Sequence, residues 1–369
     1  MIAVPEPQDG GRSLGKSSGL IRAAIVKTRQ DGVFAFAIFA ARKILDRLRR
    51  SRCGCAEMCR SHVIGGHGLE IGGPSRIFSR SGEIPLYDFA AKIDGLNFST
   101  ETVWASELGE DSPFSYRGKV LGRQYVREAS RFPDIDSAAF DFVLSSHVVE
   151  HLANPLRGLR EWGRVLRDEG VLILAVPHKD ATFDHLRPLT KIEHILEDFR
   201  NDVGEDDPTH IPEVLALHDF ARDFWATDRE EFARRCADNV RNRCVHHHVF
   251  DTDLAVRLVD QAGFRILAVD HALPNSIVIV AKKGGDGPLP ENADVSGDEA
   301  EWRRTSPFPT DKGRMTRAAI SRLTPRAAVS LPDDAEPLKI ERNKACLTKT
   351  LNPAAVGLNA LTTLMKIAR

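Results

Sequence analysis

From residue 66 to residue 283 the chain alternates short apolar runs with longer stretches whose apolar residues recur at helical spacing. The runs are "GLEIGG", "AKIDGLNF", "QYVREA", "FDFVLSS", "VLILAVP", "FRILAVD" and "SIVIVAKK". Strands alternating with helices predict an α/β fold: a mostly parallel, seven-stranded sheet with helices on both faces. The last two runs are separated only by "HALPN", which is too short for a crossover helix, so one antiparallel strand is expected near the end of the sheet.

Outside these runs the pattern changes. Residues 1–19 hold Gly, Ser, Pro and charge with no period, and read as disordered. Residues 20–65 form a basic extension whose first part, 20–50, reads as amphipathic helix. Within the 66–283 domain, 179–251 reads as a polar insertion dense in His, Asp and Glu. Residues 284–310 read as an acidic Gly/Pro linker, and 311–369 as a partly helical tail.

Composition narrows the function classes. A net charge of -1 over 369 residues gives no overall pull toward nucleic acid. The first residues lack the apolar core of a secretion signal, and "VFAFAIFAA" is too short to span a bilayer. A cytoplasmic location is expected. Segment 20–50 allows peripheral contact with the inner face of the membrane, although packing on the main domain is the simpler role. Six cysteines in a chain of this length do not make a disulfide framework. The cluster Cys53, Cys55 and Cys59 reads as ordinary reduced thiols. Oligomeric state is not legible.

In an open parallel sheet, ligands bind beyond the carboxyl ends of the strands. The turn Gly72-Gly73 after "HGLEI" lies at such an end, where glycine lets the backbone approach a ligand closely. Glu70 can accept hydrogen bonds from that ligand or orient the loop. No phosphate-cradling pattern is present. Pro74 stands where a second glycine would be and removes an N–H that a pyrophosphate would use. Further on, "FDFVLSSHVVEHLANPLRGLREWGRVLRDEGVLILAVP" (140–177) reads as strand, polar turn, helix and strand. Asn154-Pro155 opens the helix, and Leu156, Leu159, Trp162, Val165 and Leu166 lie on one side of it.

This block resembles the type 11 branch of the class I S-adenosylmethionine-dependent methyltransferases. Its "FDFV", "VVEHL", "RVLRDEG" and strand ending in Pro177 match that family's wording over some forty consecutive residues. The resemblance extends over 67–283 through "LEIGGPS", "IDGLNFSTETV", "REASRFPDIDSAAFDFV" and "HHHVFDTDLAVRLVDQAGF". It implies a Rossmann-like methyltransferase fold and S-adenosyl-L-methionine as cofactor. Glu70, Gly72, Gly73, Pro74, Asp94, Asn97, Glu128, Ser145, Ser146 and His147 would lie around that cofactor. The first motif is degenerate, because Pro74 and Arg76 replace glycines. Asn97 stands where the family has a ribose-holding carboxylate, with Asp94 a possible substitute, and Asn97→Asp should then keep or strengthen binding. Glu128 stands near the adenine amino group. "FDHLRPLT", "GEDDPTH" and "NRCVHHHVFD" resemble a bacterial subgroup associated with surface-glycan genes, which implies a small-molecule or glycan acceptor.

A methyl acceptor needs a base, and the insertion after strand five is where this fold builds its lid. His185 or His147 is expected to take the proton, with Asp184 orienting His185 and Arg187 gripping an anionic group. His246 and His248, on one side of an extended "HHH", should line the same cavity, with His247 facing away. Asp184, Asp206 and Asp207 have no spacing that demands an ion, and no metal is predicted. The alternative is a catalytically inactive methyltransferase-like scaffold in glycan assembly, favoured by the degenerate motif and the long extensions. An NAD-dependent oxidoreductase is disfavoured by the missing third glycine and by the lack of an acidic residue ending strand two.

Overall fold

A computed structural model describes residues 52–100, 112–223, 226, 228–284 and 290–313. The expectations for 1–19, 20–50 and the helical patches of the tail beyond 313 lie outside these residues. Helix α1 (Ala56–Val63) leads into strands β1 (His67–Ile71), β2 (Lys92–Asn97), β3 (Pro113–Tyr116), β4 (Lys119–Val126) and β5 (Phe140–Ser146). Helix α2 (Pro155–Val165) and strand β6 (Leu166–Pro177) follow. The insertion carries α3 (Ile192–Arg200), α4 (Ile211–Leu217), α5 (Arg229–Ala237) and α6 (Asn239–Asn242). Helix α7 (Thr252–Gln261) precedes strands β7 (Phe264–Ala272) and β8 (Ser276–Lys283), and two short helices close the described chain, α8 (Ala293–Ser296) and α9 (Glu301–Thr305).

The sheet order is β3-β4-β2-β1-β5-β6-β8-β7. Strands β4, β2, β1, β5 and β6 run parallel, while β8 is antiparallel to both β6 and β7. This is a Rossmann-like sheet, and the antiparallel strand is where the short "HALPN" connection required it. All seven predicted runs form strands. The eighth, β3, pairs antiparallel with β4 at the edge. Its four residues, "PFSY", bury only Phe114, too little to register as an apolar run.

Period-two alternation divides the core. Val143, Leu172 and Leu174 face one layer, packed against α2 and α7, while Phe142, Leu144 and Ile173 face the other with Cys59 and Val63 of α1. The start of α2 follows its sequence: Asn154 Oδ1 accepts the Arg157 N–H at 3.0 Å and Pro155 takes the first helical position. Trp162 is fully buried, and its Nε1 donates to the Ala129 carbonyl at 2.8 Å. That bond ties α2 to the loop beyond β4. The insertion holds a small core of its own around Val214, Phe232, Cys236 and Val245.

The linker reading of 284–310 needs correction over its described part. Trp302 and Phe308 are buried, and Phe308 stacks on His178 at 3.9 Å. Asp311 is buried, accepting from Thr252 Oγ1 and Ser306 Oγ at 2.6 Å each. Asp180 accepts from both the N–H and the hydroxyl of Thr310. An acidic, Gly- and Pro-rich composition predicts a linker, yet the segment is fastened across the end of β6 and the start of α7 by Asp180, beyond β6, and by Asp311, just past the segment.

Candidate active site

The chain reverses its direction across the sheet at β1, with β2 on one side and β5 on the other. A cleft opens at this switch point, beyond the carboxyl ends of β1, β2, β4 and β5, as the geometry of open α/β sheets requires. It encloses about 400 Å³, open mouth included. Leu96, Ala129 and Leu152 give it an apolar floor; Asn97, Glu128, His147, His151 and Arg243 supply polar groups. Gly72 and Val148 meet at its edge. Gly72 has φ +75°, and a Cβ there would sit 2.4 Å from Val148 Cγ2. The position therefore needs glycine on both conformational and steric grounds.

Glu70 orients this turn. It is fully buried, and its carboxylate accepts the Ser75 N–H at 2.8 Å and the Tyr87 hydroxyl at 2.8 Å. Burial raises the Glu70 carboxyl to about 7, against the opposing hydrogen bonds from Ser75 and Tyr87. A carboxyl raised in the folded state contributes stability below its unfolded value, and that stability is lost as pH rises through the folded value. Wild type should therefore lose roughly 3 kcal/mol relative to Glu70→Gln between pH 4 and pH 8, at about 1.4 kcal/mol per unit. Denaturant unfolding of both proteins across that range checks this; a pH-independent difference would show Glu70 ionised in the folded state.

Asn97 is buried at the cleft, and its Nδ2 donates to the Gly73 carbonyl at 2.9 Å. The amide thus holds the glycine turn, and this reverses the expectation for Asn97→Asp. A carboxylate would lose that donor and set its charge against a carbonyl. The variant is expected to be less stable by about 1–3 kcal/mol and to bind cofactor more weakly. Unfolding curves and calorimetric titration read the two effects. Asp94 does not substitute for the missing carboxylate, since it sits near the amino end of β2. There it bonds His67 Nε2 at 2.8 Å, Lys92 Nζ at 2.9 Å and the Arg123 N–H at 2.7 Å. Glu128 lines the cleft, paired with Arg243 at 2.6 Å.

Strand β5 ends in Ser145, buried with its hydroxyl unpartnered, then Ser146 and His147. His147 has φ +56°, which turns the chain and brings its ring to the boundary between this cleft and a second one. The second encloses about 760 Å³ between Arg76 and Glu83 on one side and the Leu273–Ser276 turn on the other. His147 Nε2 lies 2.9 Å from Ser276 Oγ. Burial, and then the neighbouring His246, lower His147 to about 4. Behind it, Glu150 is buried with neither carboxylate oxygen hydrogen-bonded; His147 Nδ1 and His151 Nε2 lie 3.9 and 3.8 Å away. Burial pushes the Glu150 carboxyl up to about 7. Sequence reasoning passed over Glu150, although it lies inside "VVEHL". It also missed Ser276 and Arg243, whose positions depend on the distant segments that carry them.

The lid residues assemble differently from the expectation. Asp184 does not orient His185. Its carboxylate bonds Arg187 at 2.8 Å and His246 Nδ1 at 2.5 Å, and it is held well below the usual carboxylate range; burial opposes this, and His246 and Arg187 outweigh it. His185 instead meets Asp219 at 2.7 Å and lines neither cleft. Arg187 is no free anion grip: it is buried and bonded to Asp184, Glu213 and the His246 and His247 carbonyls. His246 reaches the cleft only through His151, on whose ring it packs at 4.5 Å. His246 and His248 do not share a side. His248, like His247, approaches His210 instead, because the segment 245–249 is not a regular strand.

Residues 79–174 match the family model of a methyltransferase domain. The match begins after the glycine turn and ends within β6, so it takes in the floor of the cleft and the "VVEHL" turn. No curated protein sequence matches the chain. Among solved structures, a methyltransferase from Mesorhizobium loti, described as S-adenosylmethionine-dependent, is 13% identical over 62% of this chain and 98% of its own, with a TM-score of 0.37. One from Methanosarcina mazei is 16% identical over 62% and 97%, with a TM-score of 0.35. The 1,6-didemethyltoxoflavin-N1-methyltransferase of Burkholderia thailandensis is 13% identical over 76% and 94%, with a TM-score of 0.34. Likenesses this distant bear on no residue of the site. Among the described residues, no helix is long and apolar enough to cross a membrane.

Proposed function

We propose that the protein is an S-adenosylmethionine-dependent methyltransferase acting on an oxygen or nitrogen of a small-molecule or glycan acceptor, with His147 as the base. The observation that carries this reading is the place of His147, at the end of β5 and on the wall of both clefts. The residues of the switch-point cleft fit the cofactor. Leu96 and Leu152 offer apolar surface to a base, Glu128 an acceptor to an exocyclic amine, and Gly72 carries no Cβ that would press on Val148 at the cleft edge. Bound there, S-adenosylmethionine supplies an activated sulfonium methyl group.

The protein's own part is to hold, orient and deprotonate. The second cleft, with Arg76 and Glu83 at its edge, receives the acceptor. Burial keeps the His147 imidazole neutral at pH 7, with Ser276 on Nε2, so that the ring is fixed in place and can take the proton that the acceptor's nucleophile gives up. Holding the two reactants in line supplies most of the remaining acceleration. Calorimetric titration with S-adenosylmethionine tests the first half, and methyl transfer from labelled cofactor to a panel of hydroxylated and amino compounds tests the second.

Two observations favour the inactive scaffold as a second reading. Asn97 is turned to the Gly73 carbonyl, and the Arg243–Glu128 pair spans the cleft. Absence of saturable cofactor binding would decide for it.

A further inference from the structure

On the far side of the 246–248 segment, three imidazoles converge from separate parts of the insertion. His194 lies on α3, His210 at the start of α4 and His248 in the segment that leads to α7. One ring nitrogen from each lies within 4.8 Å of the others. We propose that His194, His210 and His248, with Asp198 alongside, form a binding site for a divalent transition-metal ion of the Zn²⁺ class.

The distances suit such an ion. His194 Nε2 and His210 Nε2 are 3.1 Å apart, and Asp198 Oδ2 is 3.5 Å from His194 Nε2 and 3.7 Å from His248 Nε2. Tetrahedral coordination at about 2.0–2.1 Å places neighbouring ligand atoms roughly 3.3–3.4 Å apart. His194 and Asp198 are four residues apart on α3, which puts both on one face of the helix.

The polar groups present also point to a missing partner. His248 is buried with neither ring nitrogen hydrogen-bonded, and Asp198 Oδ2 is buried and equally unpartnered. Unpaired polar atoms at such depth are costly and call for an explanation. An ion would engage His248 Nε2 and Asp198 Oδ2 together. Arg187 is near enough to weigh on His210 and His248, but its charge is met by Asp184 and Glu213. His194 remains 39% exposed, so the ion has a path in.

The position suggests what the ion does. It joins α3, α4 and the His246–His248 segment, and the His248 N–H donates to the Glu150 carbonyl directly behind the cleft. A bound ion would fix the wall on which His246 and His151 rest.

The test uses the untagged full-length chain, stripped of metal and titrated with Zn²⁺ and with Co²⁺, whose visible absorption reports a tetrahedral site. One equivalent should bind and raise the melting temperature. His194→Gln and His210→Gln, both at partly exposed positions, should each weaken binding about a hundredfold or more. The cluster of Cys53, Cys55 and Asp270, with Cys53 Sγ 3.4 Å from Cys55 Sγ, is the control, and Cys53→Ser/Cys55→Ser should bind as wild type does. The proposal is overturned if no saturable binding is found, if the folded His194→Gln/His210→Gln double variant keeps wild-type affinity, or if the cysteine variant loses the ion. None of these readouts depends on methyl transfer, so the site and the proposed function stand or fall separately.

Discussion

Gly72→Val is expected to leave no measurable S-adenosylmethionine binding at concentrations that saturate the wild type. Two effects combine. A β-branched residue at φ +75° is strained by about 1–3 kcal/mol, and its Cβ, placed 2.4 Å from Val148 Cγ2, must displace the wall of the cleft. Overpacking of this kind adds about 1–3 kcal/mol. Because the variant is destabilised as well as blocked, Gly72→Ala/Val148→Ala is its companion. Removing the valine methyl groups takes away the clash and leaves only the milder backbone strain, so this protein should fold and regain part of the affinity. Calorimetric titration of both, after circular dichroism has shown them folded, gives the answer. A folded Gly72→Val with wild-type affinity would place the cofactor elsewhere.

The second large effect is expected at His147. Its backbone is left-handed, a conformation that asparagine tolerates, so His147→Asn removes the imidazole with little disturbance of the turn. Turnover should fall by about a hundred- to ten-thousandfold, with cofactor affinity changed only a few-fold. The pH profile carries independent information. An imidazole acts as a base only when neutral, and burial holds His147 at about 4; His246 also lowers it, while Glu150, raised to about 7, is largely uncharged over this range. The acidic limb of kcat/KM should therefore lie near pH 4, with no loss of activity as pH falls through 6.5, the ordinary value for histidine. A limb near 6.5, or a His147→Asn protein with unchanged turnover, would assign the proton to another group.

The same residues show why parts of the site were legible in sequence and others not. Gly72, Asn97, Glu128 and His147 all lie at a strand's carboxyl end or within two residues of it, and these ends meet along one edge of a parallel sheet. The strand-end rule pointed to Gly72, the family resemblance pointed to Asn97, Glu128 and His147, and the sheet edge brings the four to one cleft. Asp94 failed because its position three residues earlier places it toward the other end of β2. The insertion has no such regular frame. His185 and Asp184 are neighbours in sequence, yet one bonds Asp219 and the other His246 and Arg187. Proximity along an irregular segment did not predict a shared direction.

By itself, the sequence determined seven of the sheet's eight strands, the antiparallel one among them, the capped helix α2 and the edge of the sheet where the cleft opens. Each of these depends on periodicity or on short-range backbone rules. Only the tertiary structure decided which groups meet across long separations: Ser276 on His147, Arg243 on Glu128, Asp311 on Thr252, and His194, His210 and His248 around one point. These encounters depend on how an irregular insertion and a polar segment fold back on the sheet. Charge and hydropathy say only that such segments are polar. Burial and hydrogen-bond satisfaction, which are properties of the packed molecule, determine where each side chain turns.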